Sequence, residues 1–188
     1  MINIYFFNLI EIFFCKYISS IIYKYTYIIL LLNNLFYYNL LIDLKNSMIL
    51  KFNSLTDLTA LHYPDLLNEL ELNYLILSYK LNFRFLLKFL IKKEDLIISL
   101  NEIYLNSNWL EREVWDMFGI KFIYHRDLRR ILTDYGFIGH PLLKYFPLTG
   151  FYELRFDDIY NKIIKEFIEL TQAYRFFYYI NPWILWHR

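Results

Sequence analysis

Apolar and polar positions alternate most clearly between residues 73 and 91, where Phe83, Phe85, Leu87, Phe89 and Ile91 are separated by Arg84, Leu86, Lys88 and Leu90. A period of two puts one set of side chains on each face of an extended chain, so this run predicts a half-buried strand. Leu75, Leu77, Tyr79 and Leu81 form a similar series just before it. Asn82 stands between the two and tolerates the left-handed turn conformation, which makes the pair a hairpin. Residues 92–95 read as a charged loop and 96–99 as a short strand; 48–52 form another upstream. Ser54 with Asp57 looks like a capping box opening a short helix, closed at Tyr63-Pro64 because the residue before proline is pushed out of the helical region. Ser99 with Glu102 is a second such signal, predicting a helix that runs to about Phe118 with Gly119 as its left-handed C-cap. Ile103, Leu110, Val114 and Met117/Phe118 recur at helical spacing and face the core.

The two ends read differently. Residues 1–47 are apolar and punctuated by Asn. Residues 25–42 carry no charge and approach the roughly 18 residues a spanning helix needs. Thr26, Asn33, Asn34 and Asn39 interrupt them, and an unpartnered amide in hydrocarbon is costly. A buried helix, or a helix–turn–strand with Asn33-Asn34 at the turn, is therefore expected rather than a membrane span. All four glycines (Gly119, Gly136, Gly139, Gly150) and two of the four prolines (Pro141, Pro147) fall within residues 119–150. Such a stretch is extended, turns repeatedly and lies against something. Beyond it, residues 152–156 are strand-like, 158–170 could form a helix, and the tail is aromatic. The fold class expected is α+β: a small mixed or antiparallel sheet with flanking helices, then an extended, turn-rich C-terminal arm and tail. The division expected is an apolar segment (1–47), an α+β core (48–120) and an arm and tail that dock on partners (121–188).

Composition changes how that hydrophobicity is read. Aromatics make up 22% of the 188 residues, while Val occurs once (Val114) and Ala twice (Ala60, Ala173). All of these residues fill cores, so burial does not choose among them this sharply. The enriched residues have A/T-rich codons and the depleted ones G/C-rich codons, pointing to an A/T-rich gene such as one in an organelle genome. A formal net charge of +1 gives no global attraction to nucleic acid or acidic lipid. Cys15 is the only cysteine, too few for an intrachain disulfide or for the roughly four thiolates an iron–sulfur cluster takes. No standard signal or transit peptide is visible.

Three groups of residues could carry chemistry. Glu111, Glu113 and Asp116 form a carboxylate cluster, but residues two apart on a helix diverge by about 200°. Glu113 and Asp116 share a face, where Arg112, four residues before Asp116, can pair with it; an ion-paired helix face explains the cluster better than a hydrolase. His62, His125, His140 and His187 include no pair at the spacing of a helical zinc site. Gly136-Phe137-Ile138-Gly139 lacks the residues of a phosphate loop and makes a poor RNA clamp. Arg126, Arg129 and Arg130 are interleaved with Asp127 and Asp134, which suits a protein interface better than a small RNA-binding, ribosomal-type protein.

The run Trp109-Leu110-Glu111-Arg112-Glu113-Val114-Trp115-Asp116-Met117-Phe118-Gly119, followed by His125, Asp127, Arg129, Arg130 and Ile131-Leu132, resembles the signature of the complex I subunit-9 (thirty-kilodalton-type) family. The likeness continues through Asp134, Gly136, Gly139-His140-Pro141, Lys144, Phe146-Pro147 and Gly150, and extends more weakly over residues 50–183. Where the family reads P-L-R-K-D-F-P this chain has Leu143 and Tyr145 for the Arg/Asp couple; Arg126 replaces Pro and His62 replaces Asp. The resemblance implies a non-catalytic subunit of NADH:ubiquinone oxidoreductase, in the quinone-module part of its peripheral arm. It implies no flavin, cluster or quinone bound by this chain. It also implies the forty-nine-kilodalton-type subunit of the quinone module as chief partner, and the matrix side of the mitochondrial inner membrane. The residues named above are then an interface motif, with no catalytic or metal-binding role.

Overall fold

A computed structural model of the chain describes residues 16–23, 27–32 and 37–177. Cys15, the Asn33-Asn34 turn, His187 and the end of the aromatic tail lie outside the described residues. The chain divides into two compact units, Met1–Phe146 and Pro147–Arg188.

In the first unit a five-stranded sheet has the order β1-β2-β5-β4-β3, built from β1 (Ile18–Tyr23), β2 (Tyr27–Leu32), β3 (Ser54–His62), β4 (Leu70–Ser78) and β5 (Phe83–Ile91). All neighbours are antiparallel except β2 and β5, which run parallel. The expected hairpin is β4–β5, turning through Asn82 at φ 48°. Its core face is Phe83, Phe85, Leu87, Phe89 and Ile91, set opposite Leu72, Tyr74 and Ile76. The series that the sequence pattern suggested for β4, Leu75 and Leu77, is therefore the outward one. This strand is apolar on both faces, so alternation alone does not say which face is buried.

Helix α1 (Tyr37–Asn46) buries Tyr37, Leu40, Leu41 and Leu44 against this core, where Tyr37 stacks on Phe89 at 5.0 Å. Each such leucine stabilises the fold by roughly 1.5–3 kcal/mol. The uncharged stretch is thus a strand (β2) followed by a helix, the reverse of the expected order. No described helix is long and apolar enough to cross a membrane.

Four further local expectations fail, each for an identifiable reason. Residues 54–62 are strand rather than helix. A bulge between Leu55 and Asp57 inserts one residue, so the inward residues Leu55 and Leu58 stand three apart and imitate helical spacing. Beyond the bulge, Leu58, Ala60 and His62 resume the period of two. Residues 48–50 form a turn leading to Lys51 at φ 43°, and Phe52 then plugs the core, stacked on Phe85 at 4.3 Å. The second helix, α2, spans Ser107–Phe118 instead of opening at Ser99. The Ser99 hydroxyl does accept the Asn101 N–H, but it donates to Glu111 and not to Glu102.

The fourth failure lies in the second unit, where residues 158–170 form no helix. Strands β8 (Tyr152–Asp157) and β9 (Lys162–Phe167) make an antiparallel hairpin. Asp157 accepts the N–H groups of Ile159 and Tyr160 at its turn, and Asn161 adopts φ 49°. Pairing with β8 overrides the weak helical pattern of Ile163, Ile164 and Phe167. Tyr152, Leu154, Phe156, Ile163 and Phe167 share one exposed face.

The strands that position the site are β6 (Leu96–Ile98) and β7 (Lys121–Ile123), paired in parallel with α2 as the crossover between them. This connection carries Ser99 and Leu100, at the end of β6, to the flank of α2.

Candidate functional site

Helix α2 ends at Gly119, whose φ of 79° and N–H to Trp115 carbonyl bond (2.8 Å) make it the expected left-handed cap. The chain then runs out through β7 and returns over the end of α2 as an arm, residues 124–146. His140 donates from Nδ1 to the Asp116 carbonyl (3.0 Å), and the Leu142 N–H donates to that of Met117 (3.1 Å). The arm thereby satisfies carbonyls that a helix end leaves without intrahelical partners.

Asp116 is the centre of the arrangement, and its side chain is fully buried. Its Oδ1 accepts the Arg130 guanidinium (2.7 Å) and the Thr133 hydroxyl (2.7 Å). Its Oδ2 accepts the N–H groups of Ile131 (3.2 Å), Leu132 (2.9 Å) and Thr133 (3.0 Å). Burial alone would raise this carboxyl, but the Thr133 hydroxyl, the Thr133 and Leu132 N–H groups and Arg130 together pull it down to about 2. A carboxylate whose folded pKa lies below its unfolded value contributes stability above the unfolded pKa and loses it as pH falls through the folded one. Denaturant titrations between pH 5 and pH 2 should therefore show a loss of about 2 kcal/mol attributable to Asp116, absent from an Asp116→Ala variant.

Arg130 extends the network. It donates to the Gly139 carbonyl (2.9 Å) and lies over the rings of Trp115 (5.3 Å) and Phe137 (5.7 Å). Phe137 in turn packs on Phe146.

Glu111 is also fully buried, on another side of the helix. It accepts the Ser99 hydroxyl (2.6 Å) and the Leu100 N–H (2.7 Å). Burial raises its carboxyl, partly offset by Ser99, Leu100 and Ser107. The buried His125 ring lies 3.9 Å away. Its Nδ1 accepts the Asp127 N–H (3.1 Å), so Nε2 is the donor and meets the Asn108 carbonyl (3.2 Å). Asp127 forks onto Arg129 (2.8 Å to each oxygen), which holds its carboxyl low.

The expected pairing of Arg112 with Asp116 is not what forms. Arg112 donates from Nε to the Arg129 carbonyl (3.0 Å) and lies over the Trp109 ring (5.1 Å), while Arg130 from the arm takes Asp116. Glu113 is exposed and Asp116 buried, so these two carboxylates do not converge. Phe118 packs in the core, whereas Arg126 and Asp134 are exposed. Gly136 turns at φ 70°, and Gly139 lies close to Phe146. Pro141 and Lys144 lie on the returning arm; Pro147 and Gly150, joined by a 3.0 Å backbone bond, belong to the second unit.

Two departures from the expected pattern touch each other. The rings of His62 and Tyr145 meet edge to face at 5.0 Å, and the Lys144 N–H donates to His62 Nδ1 (2.8 Å). An aromatic contact and a backbone bond thus tie residue 62 to the arm. A double-mutant cycle on His62→Ala and Tyr145→Ala should give a coupling of about 0.5–1.5 kcal/mol in unfolding experiments.

The residues that sequence reasoning undervalued are Ser99, Trp115, Thr133 and Phe137, which complete the shells of Glu111, Asp116 and Arg130. No spacing rule joins them, since the arm that brings Thr133 to Asp116 contains no regular structure. No group of three or more His, Cys, Asp or Glu able to hold a metal occurs among the described residues.

Residues 37–152 match the family model described as respiratory-chain NADH dehydrogenase, 30 Kd subunit. The chain is 45% identical over 147 residues to NADH-ubiquinone oxidoreductase subunit 9 of Acanthamoeba castellanii, covering 78% of this chain and 74% of that protein. It is 44% identical over 140 residues to NADH-ubiquinone oxidoreductase subunit 9 of Reclinomonas americana, covering 74% of this chain and 69% of that protein. The solved trypsin-resistant fragment of Nqo5 (1-134) shares the fold, with a TM-score of 0.56 at 24% identity over 66% of this chain and 98% of the fragment. With the family model spanning more than half of its length, the chain belongs to the thirty-kilodalton subunit family of the respiratory-chain NADH dehydrogenase.

Proposed function

We propose that the chain is a non-catalytic structural subunit of NADH:ubiquinone oxidoreductase, seated in the quinone-module part of the peripheral arm and supporting electron transfer without reacting. One observation carries this reading. Asp116 and Glu111, the buried carboxylates of the helix motif, are each held on both oxygens by internal donors, so they fasten the returning arm and β6 to α2. General acid–base chemistry needs a titratable group with access to a substrate proton, and neither has it.

The chief partner in this reading is the forty-nine-kilodalton-type subunit of the quinone module, and the docking residues lie in the segment 121–188 and at the exposed end of α2. The apolar face of the β8–β9 hairpin supports it, since an isolated two-stranded hairpin is marginal in water and gains from a partner. The chain carries no flavin, quinone or cluster of its own, in keeping with its single cysteine. The A/T-leaning composition and the relatives named for ubiquinone favour a mitochondrial gene and the matrix side of the inner membrane. The RNA-binding alternative finds no support among the relatives, and Arg129 and Arg130 are both ion-paired internally. Affinity purification of the tagged chain tests the proposal: complex I subunits and NADH:quinone reductase activity should co-purify. Recovery of ribosomal RNA, or of a free monomer with hydrolase activity, would overturn it.

A further inference from the structure

Between α2 and the returning arm lies a cleft of about 870 Å³, walled by Trp109, Arg112, Trp115, Arg130 and Tyr135. Its floor contains a cation of unusual status. Arg112 is only 9% exposed, yet it forms no ion pair within 4 Å among the described residues. The Nε–H is used on the Arg129 carbonyl and the guanidinium plane is backed by Trp109. Neither terminal nitrogen has an acceptor among the described residues, and neither is among the sealed, unpartnered atoms of the interior. Both therefore keep some access to solvent, and Arg112 lines the cleft. The other two guanidiniums on the wall are already engaged, Arg129 by Asp127 and Arg130 by Asp116. Asp134, the one carboxylate on the lining, accepts the Tyr135 N–H.

A buried guanidinium without an anion is costly, and its planar fork is matched by a carboxylate, which can take two parallel N–H···O bonds. The rim has the chemistry of a protein contact. Trp109 is 64% exposed and Tyr135 fully exposed, two large aromatics on the same lining as this arginine. Tyr, Trp and Arg are the residue types that dominate binding energy at protein interfaces. We propose that this cleft receives an aspartate or glutamate side chain of a neighbouring subunit, held on the Arg112 terminal nitrogens with its stem between Trp109 and Tyr135. The inference rests on the assembly role proposed above, and specifies the chemistry of one contact within it.

Two experiments on the assembled complex test it. The first is labelling of arginines with 4-hydroxyphenylglyoxal, read by mass spectrometry. Arg112 should react several-fold more slowly in the complex than in the free chain; equal reactivity would overturn the proposal. The second uses a complex carrying Arg112→Lys, which places a primary amine at the same point, treated with a zero-length carbodiimide. A crosslink from position 112 to an acidic residue of another complex I subunit supports the proposal. A crosslink only to Asp127 or Asp134 of the same chain, no crosslink, or a phospholipid or nucleotide adduct overturns it. If the chain does not co-purify with complex I subunits at all, the assembly reading itself fails. If it does and position 112 finds no foreign carboxylate, this inference fails alone. The labelling of the unaltered complex keeps the test decisive should the substituted chain not fold.

Discussion

Replacing Asp116 with alanine should destabilise the chain by about 3 kcal/mol, since it strips the acceptor from a guanidinium, a hydroxyl and three backbone N–H groups at once. For a chain of this size that corresponds to a fall in melting temperature of about 6–12 °C. The loss should appear locally too, as faster hydrogen exchange at the N–H groups of Leu132 and Thr133, both now bonded to Oδ2. Asp116→Asn should recover little. Its amide keeps one acceptor oxygen but turns an NH₂ toward groups that are themselves donors, and it removes the charge that Arg130 faces. An asparagine variant as stable as the parent would show that the carboxylate is a passive spacer.

The second large effect is expected at Gly119. Its φ of 79° lies where side chains are disfavoured, and a Cβ built there would stand 2.7 Å from His140 Cδ2. Gly119→Ala therefore meets both backbone strain and the ring that caps the end of α2, for a cost of about 2–4 kcal/mol. Gly136 is the control. It has a similar φ of 70° but open space around the added carbon, so Gly136→Ala should cost about 1 kcal/mol. Equal losses in denaturant melts would mean that the His140 contact contributes nothing.

Much of the architecture is legible in the residue pattern. The β4–β5 hairpin, the charged loop after it, the short β6 and the Gly119 cap all follow from period-two alternation and from backbone conformations that few residues adopt. The repeated turns between 119 and 150 follow from the concentration of Gly and Pro there. Local pattern misleads where tertiary context decides. A bulge at Leu55 and Asp57 produces helical spacing in a strand, and the two-sided apolar β4 hides which face is buried. At the site, helix geometry correctly separates Glu111 from Glu113. It offers Arg112 as the partner of Asp116 because that residue is near in sequence. The actual partner, Arg130, is delivered by an irregular arm whose path no periodicity encodes.

In the proposed assembly the Glu111–Asp116 motif holds subunits together and does not react. The decisive experiment is to purify the complex with Asp116→Ala in this chain and measure both the amount of assembled complex and NADH:quinone turnover per bound flavin. Assembly should fall severalfold while turnover per assembled complex stays at the parental value. Full assembly with turnover lost would instead place Asp116 in the chemistry.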